Sequence, residues 1–525
     1  MNHDIDPAIE RTLATAQQHF AAGQFDDAAR LLREIVANFP DHGEAHEGLG
    51  YIAAKQGDPA RAATHLLKAA EHMPMSVEQL NLAADVCRLA QRHDDARTLL
   101  ERCIAREPNH VGSLHGLAMS LIQLGELEAA LEHMTRLCRL QPQSAEAQYN
   151  LGTLLGTMRR HDDELDAYRR AIAINPRFVN AYVNLGVALR DLRRFDEALQ
   201  QFKKALSLDP NDAGARTNRA QTNLLLGEFE HGWREYEWRW RDGTQNHGFA
   251  QNTQWTGSQP IGGKTVFVHH EQGFGDTLQF LRFVRRLDAA GARVVLRVQD
   301  ALVPLLRGTP GVADVIGETA ETPAFDFHIP MLSLPAALKL RADDLGVAAP
   351  YIHADPARLP QWDELFADHT RRPAIGIVWS GSRTHLNDRQ RSMSLDELAP
   401  LLDANAQFFS LQPDIRERDH ARLAELDRRG VLRDVGGRLT SFADTAALIA
   451  RLDLVITVDT AVAHLAGALG KPVWIALPFM PDWRWQLDRH DSPWYAQARL
   501  FRQTKQHDWS TVVGALRDAV DALKT

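Results

Sequence analysis

Residues His269–Leu281 read HHEQGFGDTLQFL. They follow the apolar run Thr265–Val268, which predicts a buried strand. They lead into Leu278, Leu281, Val284 and Leu287, whose spacing predicts a helix. Gly273 and Gly275 therefore fall in a strand-to-helix turn, where a positive φ or a close backbone approach is needed. A turn of this kind, at the carboxyl edge of a parallel sheet, is where α/β folds place ligands. The pattern comes near the dinucleotide signature Gly-x-Gly-x-x-Gly, but Leu278 stands at the third glycine, too bulky for the close helix–strand packing required there. Asp276 also counts against that reading, since a carboxylate at a helix N-terminus repels the pyrophosphate such a fold must attract. The same carboxylate suits proton abstraction or simple helix capping, and the local sequence leaves both open.

Working outward, strands are expected at Thr265–Val268, Arg293–Val298, Ala313–Ile316 and Asp326–Ile329, with helical runs between the first three. That alternation predicts an open parallel sheet of βαβ units. A second set follows at Ala374–Trp379, Gln407–Leu411, Val431–Val435, Leu454–Val458 and Val473–Leu477. Two Rossmann-like units in tandem imply a cleft between their carboxyl strand edges. The tail, Trp509–Leu523, is expected to be a helix that crosses back onto the first unit.

The second unit has its own informative stretch, LVITVDTAVAHLAGALGKPVWIAL at Leu454–Leu477. A strand ends at Asp459-Thr460 and a small-residue helix begins at once. The free N–H groups from Ala461 to His464 and the Thr460 hydroxyl suit a diphosphate. Asp459 suits sugar or ribose hydroxyls, and His464 a phosphate oxygen. The bland alternative is a capped helix with His464 packed and satisfied. Ser380-Gly381-Ser382 forms another small-residue turn after a buried strand. The loop after it, Arg383–Arg391, is basic: either a solvated surface or a means of neutralising a diphosphate through Arg391.

Upstream, prolines recur at 40, 74, 108, 142, 176 and 210, each 34 residues after the last. With proline as repeat position 32, position 8 holds Ala16, Gly50, Ala84, Ala118, Gly152, Gly186 and Ala220. Position 20 holds Ala28, Ala62, Ala96, Ala130 and Ala198, with Glu164 as the exception. Small residues at both places let paired helices approach closely, and proline ends the second helix. These residues resemble tetratricopeptide repeats, six full and one partial, over residues 9–245. The final helix, His231–Trp240, carries Trp233, Tyr236, Trp238 and Trp240, an aromatic face expected to dock the next domain. Position 6 of the last three repeats carries Asn150, Asn184 and Asn218, whereas Gly48, Leu82 and Gly116 stand there further out.

The whole chain sets bounds. Its 525 residues allow three or four domains, and 44% hydrophobic residues supply real cores. A net charge of −9 argues against a general nucleic-acid or anionic-membrane role. No stretch approaches a membrane span, and the start, MNHDIDPAIE, lacks an apolar signal core. Cys87, Cys103 and Cys138 have no metal-ligand spacing, which favours a reduced, cytoplasmic protein.

Together the GFGDT turn, the Arg391 loop and VDTAVAHLAGALGKP resemble the heptosyltransferase-type glycosyltransferases of family 9, over residues 264–500. The chain is also similar to bacterial tetratricopeptide-repeat proteins that carry such a domain. The resemblance implies an α-helical repeat solenoid at 1–245 and a GT-B fold of two Rossmann-like domains. The acceptor-side domain would be 246–352 and the nucleotide-sugar side 353–525. It implies an inverting transferase that uses neither metal nor cofactor, with a nucleotide-diphosphate sugar as co-substrate. Asp276 matches the family's base, with Gly273, Gly275 and Thr277 in the acceptor loop. Donor binding falls to Ser380, Gly381, Ser382, Arg391 (where the family has lysine), Asp459, Thr460, Ala461 and His464. Phe479–Trp485, FMPDWRW, has no assigned chemistry. Repeat-bearing glycosyltransferases that modify proteins use an asparagine row to grip peptide backbone, which implies a polypeptide acceptor on Asn150, Asn184 and Asn218; the alternative is that these asparagines hydrogen-bond neighbouring repeats to one another. Two rivals stand against this reading: a non-catalytic repeat scaffold with a degenerate α/β module, and a dehydrogenase, which Asp276 and Leu278 oppose.

Overall fold

A computed structural model describes residues 7–241, 248–346, 350–367, 373–385 and 387–523. The boundary expected at 245–246 lies outside these residues, as do the first six. The chain forms two compact units, Met1–Leu189 and Arg190–Thr525.

The first unit is built of helix pairs, from Pro7–Ala21 with Phe25–Asn38 to Ala145–Thr157 with His161–Ile174, followed by Val179–Asp191. Some of the helix starts have a local cause in a capping side chain. Ser76 accepts from the Gln79 N–H while the Gln79 side chain accepts from the Ser76 N–H, a reciprocal cap on Val77–Leu89. Asp58 caps Pro59–His72, whose first residue is proline. The small residues of the repeat are required by contact. A Cβ on Gly50 would lie 2.6 Å from Leu66, and one on Gly152 would lie 2.7 Å from Tyr168. Glu164 fits where the other repeats have alanine because it packs on Gly156, whose absent Cβ would fall 2.5 Å from Glu164 Oε1. His161 Nδ1 lies 3.2 Å from the other carboxylate oxygen.

In the second unit, the helices Phe195–Leu208, Ala213–Leu225 and Phe229–Tyr236 precede a 3-10 turn at Glu237–Arg241. Phe229, Trp233 and Tyr236 enter the same core as the α/β elements. The Trp233 ring lies 5.2 Å from Trp483 and 6.1 Å from Phe280. Arg239 and Glu271, with side chains 3% and 2% exposed, form an ion pair at 2.9 Å. Glu271 also accepts from the Leu332 N–H, and Arg239 donates to Ser333. Burying two charges is tolerable only when paired and hydrogen-bonded, so this pair fixes how the aromatic helix seats.

Two all-parallel sheets follow. In the first, β1 (Thr265–His269), β2 (Arg293–Arg297), β3 (Asp314–Ile316) and β4 (Phe327–Pro330) run in the order β3-β2-β1-β4. In the second, β5 (Ala374–Val378), β6 (Gln407–Ser410), β7 (Leu432–Asp434), β8 (Leu454–Val458), β9 (Val473–Leu477) and β10 (Ala498–Arg502) run in the order β10-β9-β8-β5-β6-β7. Every residue of β5, β8 and β9 is buried, as parallel strands covered on both faces must be. Strand order reverses between β1 and β4 in one sheet and between β5 and β8 in the other. Those reversals open crevices at the carboxyl ends, and they position the site.

Two features depart from expectation. β10, sequence ARLFR, is not anticipated because arginines occupy two of its five positions. The tail helix, Ser510–Asp521, does not cross to the first sheet. Val512, Val513, Leu516 and Val520 pack with Ile375, Ile377 and Phe408 of the second sheet, and Asp521 accepts from the Asn405 N–H at 3.1 Å. A nearby apolar face outcompetes a distant one.

Candidate active site

The turn after β1 enters the helix Phe274–Phe280. Gly273 has φ −70, and Gly275 is likewise not left-handed, so neither glycine is there for a positive φ. Gly275 is needed for close approach: a Cβ on it would fall 2.8 Å from His464 Cδ2 and 3.6 Å from Ala461 Cα. The glycine turn of the first sheet thus abuts the helix Ala461–Ala468 of the second. Thr277 is buried and donates to Gln299 Oε1 at 2.9 Å, while Gln299 donates to the Gln272 carbonyl at 2.7 Å. Thr277 braces the loop from behind.

Asp276 does cap its helix, since Oδ2 accepts from the Gly273 N–H at 2.8 Å. The other oxygen, Oδ1, accepts from Arg484 Nη2 at 2.5 Å. Capping and a chemical role are compatible, because each carboxylate oxygen carries two lone pairs.

Across the cleft, β5 and β8 are neighbours, so the Ser380–Ser382 turn and Asp459-Thr460 lie side by side. Ser380 and Gly381 N–H groups are already used, donating to Gln412 Oε1 at 3.1 Å and Ser392 Oγ at 2.9 Å. The Ser382 hydroxyl pairs with Thr384. Two of the turn's backbone donors are therefore engaged within the protein, against the expectation that they face a phosphate. Arg391 ends the short helix Asp388–Arg391 and lies flat on Gly381, where a Cβ would come 2.7 Å from Nη2. Its Nη1 donates to the Asp459 carbonyl at 2.8 Å, and its buried Nε has no partner among the described residues. Thr460 begins the helix Ala461–Ala468, its hydroxyl paired with Thr457 at 3.0 Å.

His464 departs from the phosphate-contact expectation. It is 4% exposed, pairs through Nδ1 with the Tyr495 hydroxyl at 2.9 Å, and stacks on Trp485 with ring centroids 5.3 Å apart. Burial holds its pKa well below the ordinary value, so it is a neutral packing residue under the Gly275 contact.

The stretch Phe479–Trp485, to which sequence reasoning assigns no chemistry, brings Asp482 and Arg484 into the cleft. Arg484, 8% exposed, donates through Nε to Gln279 at 2.7 Å and through Nη1 to Asp482 at 2.9 Å. The signal missed there is the cluster of an acid, an arginine and two tryptophans just beyond a strand. Three carboxyls and two guanidiniums now share one cleft. Burial raises the Asp276 pKa above the ordinary carboxylate value, while Arg484 draws it back. Burial, with Asp482 adding to it, pushes Asp459 up to about 6. His385 is held below its usual value by burial and by Arg391.

In the repeats, the asparagine side chains are engaged with their neighbours. Asn150 pairs with His115 at 3.3 Å, and Asn184 donates to the Tyr149 hydroxyl at 3.0 Å. Asn218, in the second unit, accepts from Arg190 at 3.2 Å and donates to the Gly214 carbonyl at 2.9 Å. All three are half-buried. Bonding between repeats thus takes up amide groups that the peptide-grip expectation leaves open. No described helix is long and apolar enough to cross a membrane, and no described cluster of three or more His, Cys, Asp or Glu is arranged to hold a metal ion.

A helical repeat array followed by two parallel α/β sheets, each with its crevice at a strand reversal, is the architecture of a repeat-bearing protein with a GT-B glycosyltransferase-like half. The chain carries tetratricopeptide repeats, matched over 13–75, 83–145, 115–177 and 179–212, and a glycosyltransferase family 9 (heptosyltransferase) domain, matched over 396–478. It is 26% identical to Protein FlbA of Caulobacter vibrioides over 94% of this chain and 82% of that protein. Against Cellulose synthase 2 operon protein C of Komagataeibacter xylinus it is 33% identical, over 30% of this chain and 12% of the relative. Among solved structures, the MamA protein is 26% identical, covering 33% of this chain and 93% of its own with a TM-score of 0.30. A tetratricopeptide repeat protein from Parabacteroides merdae is 16% identical, covering 46% and 95% with a TM-score of 0.37.

Proposed function

We propose that the protein is an inverting, metal-independent glycosyltransferase that moves a sugar from a nucleotide-diphosphate donor to an acceptor hydroxyl. The observation that supports it most is the facing of two strand-reversal crevices, one presenting Asp276 and the other Arg391 beside Asp459. Asp276 takes the proton from the acceptor hydroxyl. The acceptor oxygen bonds to the anomeric carbon from the face opposite the leaving group, and the carbon–oxygen bond to the diphosphate breaks. The departing diphosphate carries the negative charge, which Arg391 and the start of the helix Ala461–Ala468 stabilise. The repeats recruit the acceptor, for which a polypeptide is the class the helix-pair surface suits.

A second reading, a repeat scaffold with a catalytically silent α/β half, draws support from one observation: both oxygens of Asp276 and two N–H groups of the donor turn already have partners within the chain. The deciding experiment incubates the protein with UDP-, GDP-, ADP-, CMP- and dTDP-sugars and follows donor hydrolysis and melting temperature. Turnover or stabilisation by one donor class supports the transferase. No response to any of them favours the scaffold.

A further inference from the structure

Arg484 spends all three of its nitrogens on named acceptors. Nη2 goes to Asp276 and Nε to Gln279, both on the helix after β1; Nη1 goes to Asp482, its own near neighbour. Asp276 and Gln279 are three residues apart, so they present one face of that helix to a single planar group. The guanidinium lies over the Trp483 ring at 4.1 Å, within the aromatic cluster that includes Trp233 and Phe280. A lysine in its place would supply charge but not this fork. The arginine comes from the second sheet's domain, whereas the carboxylate it holds belongs to the first.

We propose that Arg484 is a positioning residue for the candidate base: it locks one oxygen of Asp276, sets the ionisation of that carboxyl, and does so only while the two α/β domains are apposed. The inference rests on the proposed role of Asp276. The Gly273 N–H fixes the second oxygen, so the carboxylate cannot rotate, and only its remaining lone pairs are left for an acceptor hydroxyl. The charged and titratable groups around Asp276 are Arg484, Asp482 and His385, with neutral His464 packed behind the turn. Arg484 favours the ionised carboxyl, whereas Asp482 opposes it. Removing the arginine must therefore raise the Asp276 midpoint, and removing the Asp482 charge must lower it.

The test follows the carboxyl itself, by carbon NMR of full-length protein labelled at aspartate, with the Asp276 resonance assigned from its loss in Asp276→Asn. The expected result is a midpoint about one pH unit or more higher in Arg484→Gln, near wild type in Arg484→Lys, and lower in Asp482→Asn. Calorimetry with UDP, GDP and ADP should show unchanged affinity in Arg484→Gln. A folded Arg484→Gln with an unmoved carboxyl would make Arg484 only a clasp. A fall of about tenfold in diphosphate affinity with the carboxyl unmoved would make it a donor ligand. Either result overturns the proposal. Should Arg484→Gln not fold, Arg484→Met, which keeps the stem packed on Trp483, decides, since a midpoint that fails to rise overturns it equally. If Asp276→Asn keeps full turnover, the base assignment itself falls, and the NMR shifts still report whether Arg484 controls that carboxyl.

Discussion

Arg391 Nη1 donates to the main-chain carbonyl of Asp459 over 2.8 Å, tying the polar loop after β5 to the carboxyl end of β8. With the guanidinium resting on Gly381, the bond holds a cation at the strand reversal where an α/β fold receives a ligand. Arg391→Ala should weaken nucleoside diphosphate binding about ten- to a hundredfold, the worth of one charge-assisted bond of about 1.5–3 kcal/mol. Calorimetry with UDP, GDP and ADP checks this. Unchanged affinity would place the diphosphate elsewhere. Gly381→Ala should have a similar effect by displacing Arg391.

Asp276→Asn should lower kcat by about 10²–10⁴ while donor binding survives, because asparagine keeps the shape but cannot take a proton. Equal turnover by the two proteins would leave Asp276 as a cap and ion-pair partner only.

The pH profile carries a sign. Burial raises the Asp276 pKa, so the proposed base is protonated further into the weakly acidic range than an ordinary carboxylate. The acid limb of kcat/KM should therefore lie above pH ~4, with activity rising as pH increases through it. A limb at or below that value counts against Asp276 as the base.

Stability should show a related effect at Asp459. Its folded pKa, about 6, stands above the unfolded value of 3.8, so the folded chain takes up this proton first. Acidification from pH 7 toward pH 5 should then raise the melting temperature of wild type relative to Asp459→Asn. A flat difference between the two across that range refutes the shift.

Trp233→Ala should destabilise the second unit by about 3–5 kcal/mol, as loss of a buried aromatic side chain does. The ring is 2% exposed and packs against Trp483 and Phe280. Urea unfolding followed by hydrogen exchange should show the loss in residues 190–525 with the first unit's helices protected as in wild type.

The 34-residue period by itself determined the helical half, because a small residue missing at Gly50 or Gly152 would drive a side chain into Leu66 or Tyr168. Alternation of apolar runs likewise determined two parallel sheets, since strands such as β5 and β9 are apolar along their whole length. The GFGDT turn was legible as a candidate site because glycine and a carboxylate at a strand end are local features. What the local pattern left open was whether Asp276 caps or reacts, and only tertiary structure brought Arg484, 208 residues away in sequence, onto its free oxygen. The same holds for His464, whose burial against Tyr495 and Trp485 depends on side chains brought together by folding. Asn150 and Asn184 look like a free ladder in sequence, yet across the seam between repeats they meet His115 and Tyr149 from the preceding repeat. Local chemistry and periodicity are written along the chain. The partner a polar group finds, and hence its charge state and its availability to a ligand, depends on which distant segments fold against it.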